Sequence, residues 1–162
     1  MKKAILIAGL SLVSCFASAE GKPFLNLEAG IADTDYDNGF IIAAGLGYQF
    51  NDNFEFEVNY NNFGDVGPFG LEITSFSYAL NIGGQISEKT RLFGILGSER
   101  LEADDSVSIG PYTIDVNESS TEAFFGLGTA YENKDNVEVR TKLISHDSGE
   151  ILTFSVGVAV GF

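Results

Sequence analysis

The sequence predicts an all-β protein, an eight-stranded antiparallel up-and-down transmembrane β-barrel. Three observations support this fold class. Nearly every segment after residue 19 alternates between apolar and polar residues, the connections between these segments alternate between short and long, and the chain ends on an aromatic residue, Phe162. Alternation with a period of two is typical of strands. An even strand number, with short turns at one end and longer loops at the other, is typical of bacterial membrane barrels.

The first nineteen residues have the features of a secretory signal. Lys2 and Lys3 precede an apolar core at residues 4–13, and Ala17-Ser18-Ala19 forms an A-x-A cleavage site. We therefore expect a signal peptide at residues 1–19 and an outer-membrane β-barrel at residues 20–162.

A competing interpretation of the leader concerns its single cysteine. Leu12-Val13-Ser14-Cys15 resembles a lipobox, which would make Cys15 a lipidated N-terminus. Cleavage after Ala19 would instead remove Cys15 and leave the mature chain without a thiol or a disulfide. That outcome is compatible with an exported protein whose fold is closed by other means.

The charge balance is strongly acidic. Removal of Lys2 and Lys3 with the leader leaves 7 basic and 23 acidic residues, a net charge of −16. A nucleic-acid partner is not expected, because phosphate binding requires a basic face. With 44% hydrophobic residues the chain is too apolar to be a disordered acidic segment.

The first four predicted strands each carry bulky apolar residues on one face and small or polar residues on the other. They comprise residues 23–32, 39–50, 53–63 and 71–86. The alternation is clearest in 53–63, where Phe54, Phe56, Val58 and Tyr60 are opposed by Glu55, Glu57, Asn59 and Asn61.

The last four predicted strands comprise residues 90–101, 122–132, 137–145 and 151–162. The final one places Leu152, Phe154, Val156, Val158, Val160 and Phe162 on one face. Residues 90–101 are apolar on both faces, so the sequence does not orient them. The segment 102–121 is predicted to be a long connection that contains a projecting hairpin around Gly110-Pro111.

A soluble β-sandwich or lipocalin-like barrel would also contain short alternating strands. Its apolar faces would point inward and its charges outward. Here the face opposite the bulky residues is small and polar, with Gly45, Gly47, Ser75, Gly126 and Gly157 among its members. This composition suits a narrow barrel interior, and the bulky face suits lipid.

Six charged residues fall on the face that is predicted to point inward. They are Glu28, Glu55, Glu57, Glu138, Arg140 and Lys142. Charges inside an eight-stranded barrel must pair, because an isolated buried charge is very costly. We expect an interior charge network that blocks the lumen, since the interior of such a barrel is just wide enough for side chains. A gated path for ions is the alternative.

Two further motifs contain residues that could carry chemistry. Asp33, Asp35 and Asp37 alternate as at the start of a calcium-binding EF-hand loop, but Asn38 occupies the position of the required glycine. We expect a solvated acidic loop, with no metal site and no cofactor. His146, Ser148 and Glu150 also alternate and supply the groups used in acyl transfer. They faintly resemble the His-x-Ser pair of barrels that deacylate lipid A.

Several stretches resemble the OmpA-type family of small outer-membrane barrels. They are NDNFEFEVNYNNFGD at 51–65, SYALNIGGQISEKTRLFGILG at 77–97 and SVGVAVGF at 155–162. The last resembles the assembly signal that the barrel assembly machinery recognises in these families, with Ser155, Gly157, Val160 and Phe162 at its positions. Larger members continue into a peptidoglycan-binding domain; this sequence stops at the last strand, so the resemblance does not imply that role.

The sequence therefore predicts a non-enzymatic barrel of the cell outer membrane, with a structural or surface-interaction role through acidic extracellular loops. A narrow porin-like channel and a lipid A acyl hydrolase are the alternatives. The expected partners are outer-membrane lipid, lipopolysaccharide and, during biogenesis, the barrel assembly machinery. A monomer is expected.

Overall fold

Eight antiparallel strands each pair with the next strand in sequence, and the eighth returns to the first to close a barrel. A computed structural model describes residues 21–34, 38–66, 71–109, 112–134, 136–146, 149 and 151–162. The strands are β1 (Lys22–Thr34), β2 (Asn38–Asn51), β3 (Phe54–Val66), β4 (Leu71–Ser87), β5 (Thr90–Ile109), β6 (Tyr112–Lys134), β7 (Val137–His146) and β8 (Ile151–Gly161). The predicted fold class is confirmed.

Closure depends on the pairing of β1 with β8. Their register runs without interruption from Phe24 opposite Gly161 to Thr34 opposite Ile151. Closure removes the unpaired strand edges that an open sheet would expose to lipid, where no water can satisfy backbone N–H and C=O groups.

The exterior of the barrel is apolar. Large hydrophobic side chains that remain exposed lie on every strand, with Leu27, Leu46, Leu96 and Phe125 among the most exposed. This is the face that the sequence assigned to lipid. The described part of the chain contains no helix long and apolar enough to cross a membrane.

The turns between β2 and β3 and between β6 and β7 are short, as predicted. Asn51 Oδ1 accepts hydrogen bonds from the backbone N–H groups of Asn53 at 2.8 Å and Phe54 at 3.0 Å. Asn136 has a φ of 66°, a left-handed conformation that asparagine tolerates well. Its carbonyl oxygen accepts a hydrogen bond from the N–H of Gly161 at 2.7 Å, which fastens the end of β8 to this turn.

Strands β5 and β6 form the projecting hairpin that the sequence predicted within residues 102–121, and they extend past the predicted strand bounds of 90–101 and 122–132. Their pairing continues to Ile109 opposite Tyr112, through most of the segment predicted as a connection. The pairing of β5 with β4 ends at Asp104, and that of β6 with β7 ends at Phe125. The extra length is a two-stranded ribbon beyond the barrel wall.

Candidate functional site

The candidate site is the barrel lumen, and its packing depends on pairs of phenylalanine and glycine on neighbouring strands. A Cβ atom added to the glycine of each pair would collide with the ring of its partner. The pairs are Phe24 with Gly47, Phe93 with Gly128, and Phe124 with Gly97. Large and small side chains on adjacent strands thus fill a narrow interior, which is typical of small barrels.

A layer of buried charges crosses the lumen near the end that carries the short turns. We call it the ionic layer, and it consists of Glu28, Glu55, Glu57, Arg91, Glu138, Arg140 and Lys142. Arg140 lies at its centre and donates from Nη1 to Glu55 at 2.7 Å and to Glu57 at 2.8 Å. Its Nη2 donates to Glu138 at 2.5 Å. The guanidinium carbon lies 4.3 Å from the centroid of the Phe24 ring, a cation–π contact.

Lys142 extends the ionic layer toward β1. Its Nζ lies 2.6 Å from Glu28 Oε1 and 2.6 Å from Glu57 Oε2. The Ser155 hydroxyl donates to the other oxygen of Glu28 at 2.8 Å. The structure therefore brings together all six side chains of the predicted interior charge network.

Arg91 completes the layer and was missed by the sequence analysis. Its Nη2 lies 2.6 Å from Glu55 and 3.5 Å from Glu138. The sequence did not orient β5 because both of its faces contain leucine and glycine. The spacing of two charged residues could have identified the inward face of β5. Arg91 and Glu99 are an even number of residues apart, so on a strand they point to the same side. Both are buried in the lumen.

The ionic layer draws its charges only from alternate strands. Glu28 lies on β1, Glu55 and Glu57 on β3, Arg91 on β5, and Glu138, Arg140 and Lys142 on β7. Apart from the Arg140–Glu138 pair within β7, the ion pairs consequently connect strands that are not neighbours in the sheet. Four carboxylates face three cations, and both Glu55 and Glu57 are 0% exposed.

A second polar group, the histidine cluster, lies toward the end that carries the long loops. It consists of Asn61, Ser75, Glu99, His146 and Thr153. His146 Nδ1 lies 2.5 Å from Glu99 Oε1, and Nε2 lies 3.0 Å from Thr153 Oγ1. The Ser75 hydroxyl donates to Glu99 Oε2 at 2.9 Å and accepts from Asn61 Nδ2 at 2.8 Å.

Apolar side chains surround the histidine cluster. The imidazole contacts the rings of Phe63 and Phe124, with centroid distances of 5.6 and 5.5 Å. A buried cluster of Ala32, Ile41, Phe63, Leu101 and Ile151 packs in the same part of the lumen. The histidine cluster is thus enclosed by low-dielectric walls.

The hydroxyl that His146 contacts is that of Thr153, whereas the sequence pattern grouped His146 with Ser148. The order carboxylate, imidazole, hydroxyl matches a hydrolytic triad. However, the Thr153 side chain is buried, with a residue exposure of 2%, so a substrate has no access to its hydroxyl in this structure. Ser148 and Glu150 lie outside the described residues.

A cavity of about 220 Å³ opens at the short-turn end. It reaches inward to Arg91, Glu138 and Arg140, and Lys22 and Asp52 lie at its mouth. The ionic layer forms its floor, so this vestibule leads into the lumen but meets paired charges.

No described group of three or more His, Cys, Asp or Glu side chains is placed to hold a metal ion. Asp33 lies exposed at the end of β1. Asp35 and Asp37, the other members of the acidic motif, lie outside the described residues.

The four residues of the predicted assembly signal divide between the two faces of β8. Ser155 points inward and contacts Glu28, and a Cβ on Gly157 would collide with the backbone of Leu27. Val160 and Phe162 are exposed on the outer face, Phe162 at 70%. The backbone N–H of Phe162 donates to the carbonyl of Pro23 at 3.1 Å.

Residues 4–162 match the family model described as "Outer membrane protein beta-barrel domain". A search of curated protein sequences finds no significant match.

Solved structures with the same fold include small barrels from three bacterial sources. The N-terminal β-barrel domain of Pseudomonas aeruginosa OprF matches with a TM-score of 0.64 at 18% identity, over 88% of this chain and 100% of that one. Neisserial surface protein A matches with a TM-score of 0.63 at 17% identity, over 88% and 97%. Ail, the attachment invasion locus protein of Yersinia pestis, matches with a TM-score of 0.58 at 18% identity, over 88% and 97%. At these identities the likeness concerns the fold alone.

Proposed function

Since the chain belongs to the outer membrane protein β-barrel domain family, we propose that it is a non-enzymatic integral barrel with a structural and surface-interaction role. The observation that carries this proposal is the ionic layer. A lumen crossed by paired, buried charges and filled by phenylalanine rings suits a rigid membrane anchor better than a pore. In this proposal the chain contacts outer-membrane lipid and lipopolysaccharide as a monomer, after insertion by the barrel assembly machinery.

The surface role is assigned to the ribbon formed by the ends of β5 and β6. Along β6, residues 112–124 pair with β5 on one side but have no pairing with β7 on the other. A free strand edge can accept an added strand from another protein. The segment 102–121 contains five acidic residues and no basic one, so the favoured partner presents a basic, extended segment.

Deletion of residues 104–117, with the strand ends rejoined by a two-residue Asn-Gly turn, tests this assignment. Cells that display the intact protein should retain a basic peptide probe, and cells with the shortened ribbon should not. A probe of the same length with glutamate in place of lysine is the matched control. Equal retention of the basic probe by both strains would show that the ribbon is not the binding element.

A narrow channel is the second candidate, and the vestibule at the short-turn end favours it. Conductance in planar bilayers distinguishes the two functions. We expect no stable single-channel steps from the wild-type protein at neutral pH. The double variant Glu57→Ala/Lys142→Ala removes one cation and one anion from the ionic layer and should conduct if that layer is the barrier. Stable steps from the wild type would establish the channel.

The acyl-hydrolase alternative has a separate test. Mass spectrometry of lipid A incubated with the protein should show no lost acyl chain. Loss of a chain that disappears in a Ser148→Ala variant would refute the non-enzymatic proposal.

A further inference from the structure

The hydrogen atoms of the histidine cluster can be arranged in two ways. Asn61 donates to Ser75, and the Ser75 hydroxyl donates to Glu99 Oε2. Glu99 Oε1 therefore faces His146 Nδ1 as an acceptor, and Nδ1 carries its hydrogen toward the carboxylate. The two arrangements differ in the contact between His146 Nε2 and the Thr153 hydroxyl, where either group can be the donor.

Thr153 has two acceptors for its single hydrogen. Its Oγ1 lies 3.0 Å from His146 Nε2 and 3.5 Å from the carbonyl oxygen of Ile144, the residue directly opposite on β7. When the imidazole is neutral, Nε2 is an acceptor and the hydroxyl donates to it. When the imidazole is protonated, Nε2 is a donor and the hydroxyl can turn to Ile144.

We propose that the histidine cluster is a proton-operated switch that couples the charge of His146 to the β7–β8 hairpin at the long-loop end. Protonation converts the Glu99–His146 contact into an ion pair between β5 and β7. It also directs the Thr153 hydroxyl to the Ile144 carbonyl, which adds a bond between β8 and β7. Deprotonation removes both effects and leaves a buried carboxylate without a cation.

Few other charged groups on the described strands lie around the histidine cluster. Glu122 on β6 is the register partner of Glu99 and is half-buried. Lys142 on β7 belongs to the ionic layer, where it pairs with Glu28 on β1 and with Glu57 on β3, each at 2.6 Å. The described lumen residues of β2, β4 and β8 around His146 contribute no charge.

The switch predicts that the hairpin is more rigid below the pH at which His146 loses its proton than above it. Imidazole changes charge between about pH 5 and about pH 8. The measurements are the ¹⁵N shifts of the His146 ring and the amide protection factors of residues 143–146 and 151–154, in protein refolded into lipid nanodiscs. As pH rises through the ring titration, these factors should fall by about fivefold, the effect expected for the net loss of one neutral hydrogen bond.

Two variants separate the switch from a general effect of pH. In Thr153→Val the ring should still titrate, but protection of the hairpin should respond to its charge by less than in the wild type. Thr129→Val removes a hydroxyl that pairs with Thr141 at 2.8 Å on another part of the barrel, and it should behave like the wild type. Measurements on the wild-type protein are enough to overturn the proposal. Either of two results would do so: the His146 ring changes charge with no change in amide protection of the hairpin, or the ring keeps one protonation state throughout the pH range.

Discussion

Arg140 binds Glu55 through two hydrogen bonds across the barrel lumen, Nη1 to Oε1 at 2.7 Å and Nη2 to Oε2 at 3.1 Å. The two residues are 85 positions apart and lie on β3 and β7, which do not pair in the sheet. A forked pair of this kind fixes both distance and orientation. It therefore braces the barrel from within, independently of the backbone hydrogen bonds of its wall.

Replacement of Arg140 by methionine should destabilise the barrel by about 3–5 kcal/mol, because Glu55 and Glu57 would remain buried with too few cations. The free energy of unfolding in urea, measured for protein folded into lipid vesicles, tests this. Glu132→Gln, a change at an exposed site, is the control and should alter stability by less than about 0.5 kcal/mol. If the Arg140→Met and control values were equal, the ionic layer would have no bracing role.

The substitution Gly47→Ala should lower the free energy of unfolding by about 1–3 kcal/mol, because its Cβ would occupy space taken by the Phe24 ring. The nearest atoms all belong to that ring, so Phe24→Leu in the same chain should recover part of the loss. Gly94→Ala is a matched control, because its Cβ would come no closer than 3.8 Å to Ile82. A double variant whose loss equals the sum of the single losses would show that the ring is not the cause.

Deletion of Phe162 should impair assembly of the barrel in cells but leave the stability of the folded barrel nearly unchanged. The side chain is 70% exposed and the residue makes one backbone hydrogen bond, to Pro23. We expect less heat-modifiable barrel in the outer membrane of cells, but a change in unfolding free energy of less than about 0.5 kcal/mol for protein refolded in detergent. A large loss of stability in detergent together with normal assembly in cells would show that Phe162 serves stability and not assembly.

The two ends of the barrel should differ in their access to protease. A cleavage site inserted between Ile109 and Tyr112, at the tip of the ribbon, should be cut on intact cells. The same site inserted between Lys134 and Val137, in a short turn, should be cut only after the outer membrane is opened. Immunoblots of the fragments report both results, and cleavage at the short turn on intact cells would invert the proposed orientation.

Most of the fold could be predicted from the sequence, because lipid outside and packing inside impose opposite chemistry on alternate residues. Glu55 and Glu57 were placed correctly for this reason. Arg91 could not be placed because its strand carries apolar residues on both faces. The partner of His146 could not be predicted either. Glu99 is 47 residues away, and its contact depends on the stagger of β5 against β7, which local alternation does not encode.

The placement of charges on alternate strands also has a consequence for the order of folding. From residue 21 to the end of β4 the only basic residue is Lys22, which lies exposed at the barrel mouth, whereas Glu28, Glu55 and Glu57 already point inward. The first four strands alone would hold unbalanced carboxylates in a forming core. Arg91, Arg140 and Lys142 arrive with β5 and β7. Neutralisation therefore depends on contacts of high sequence separation, which are intrinsically slow to form.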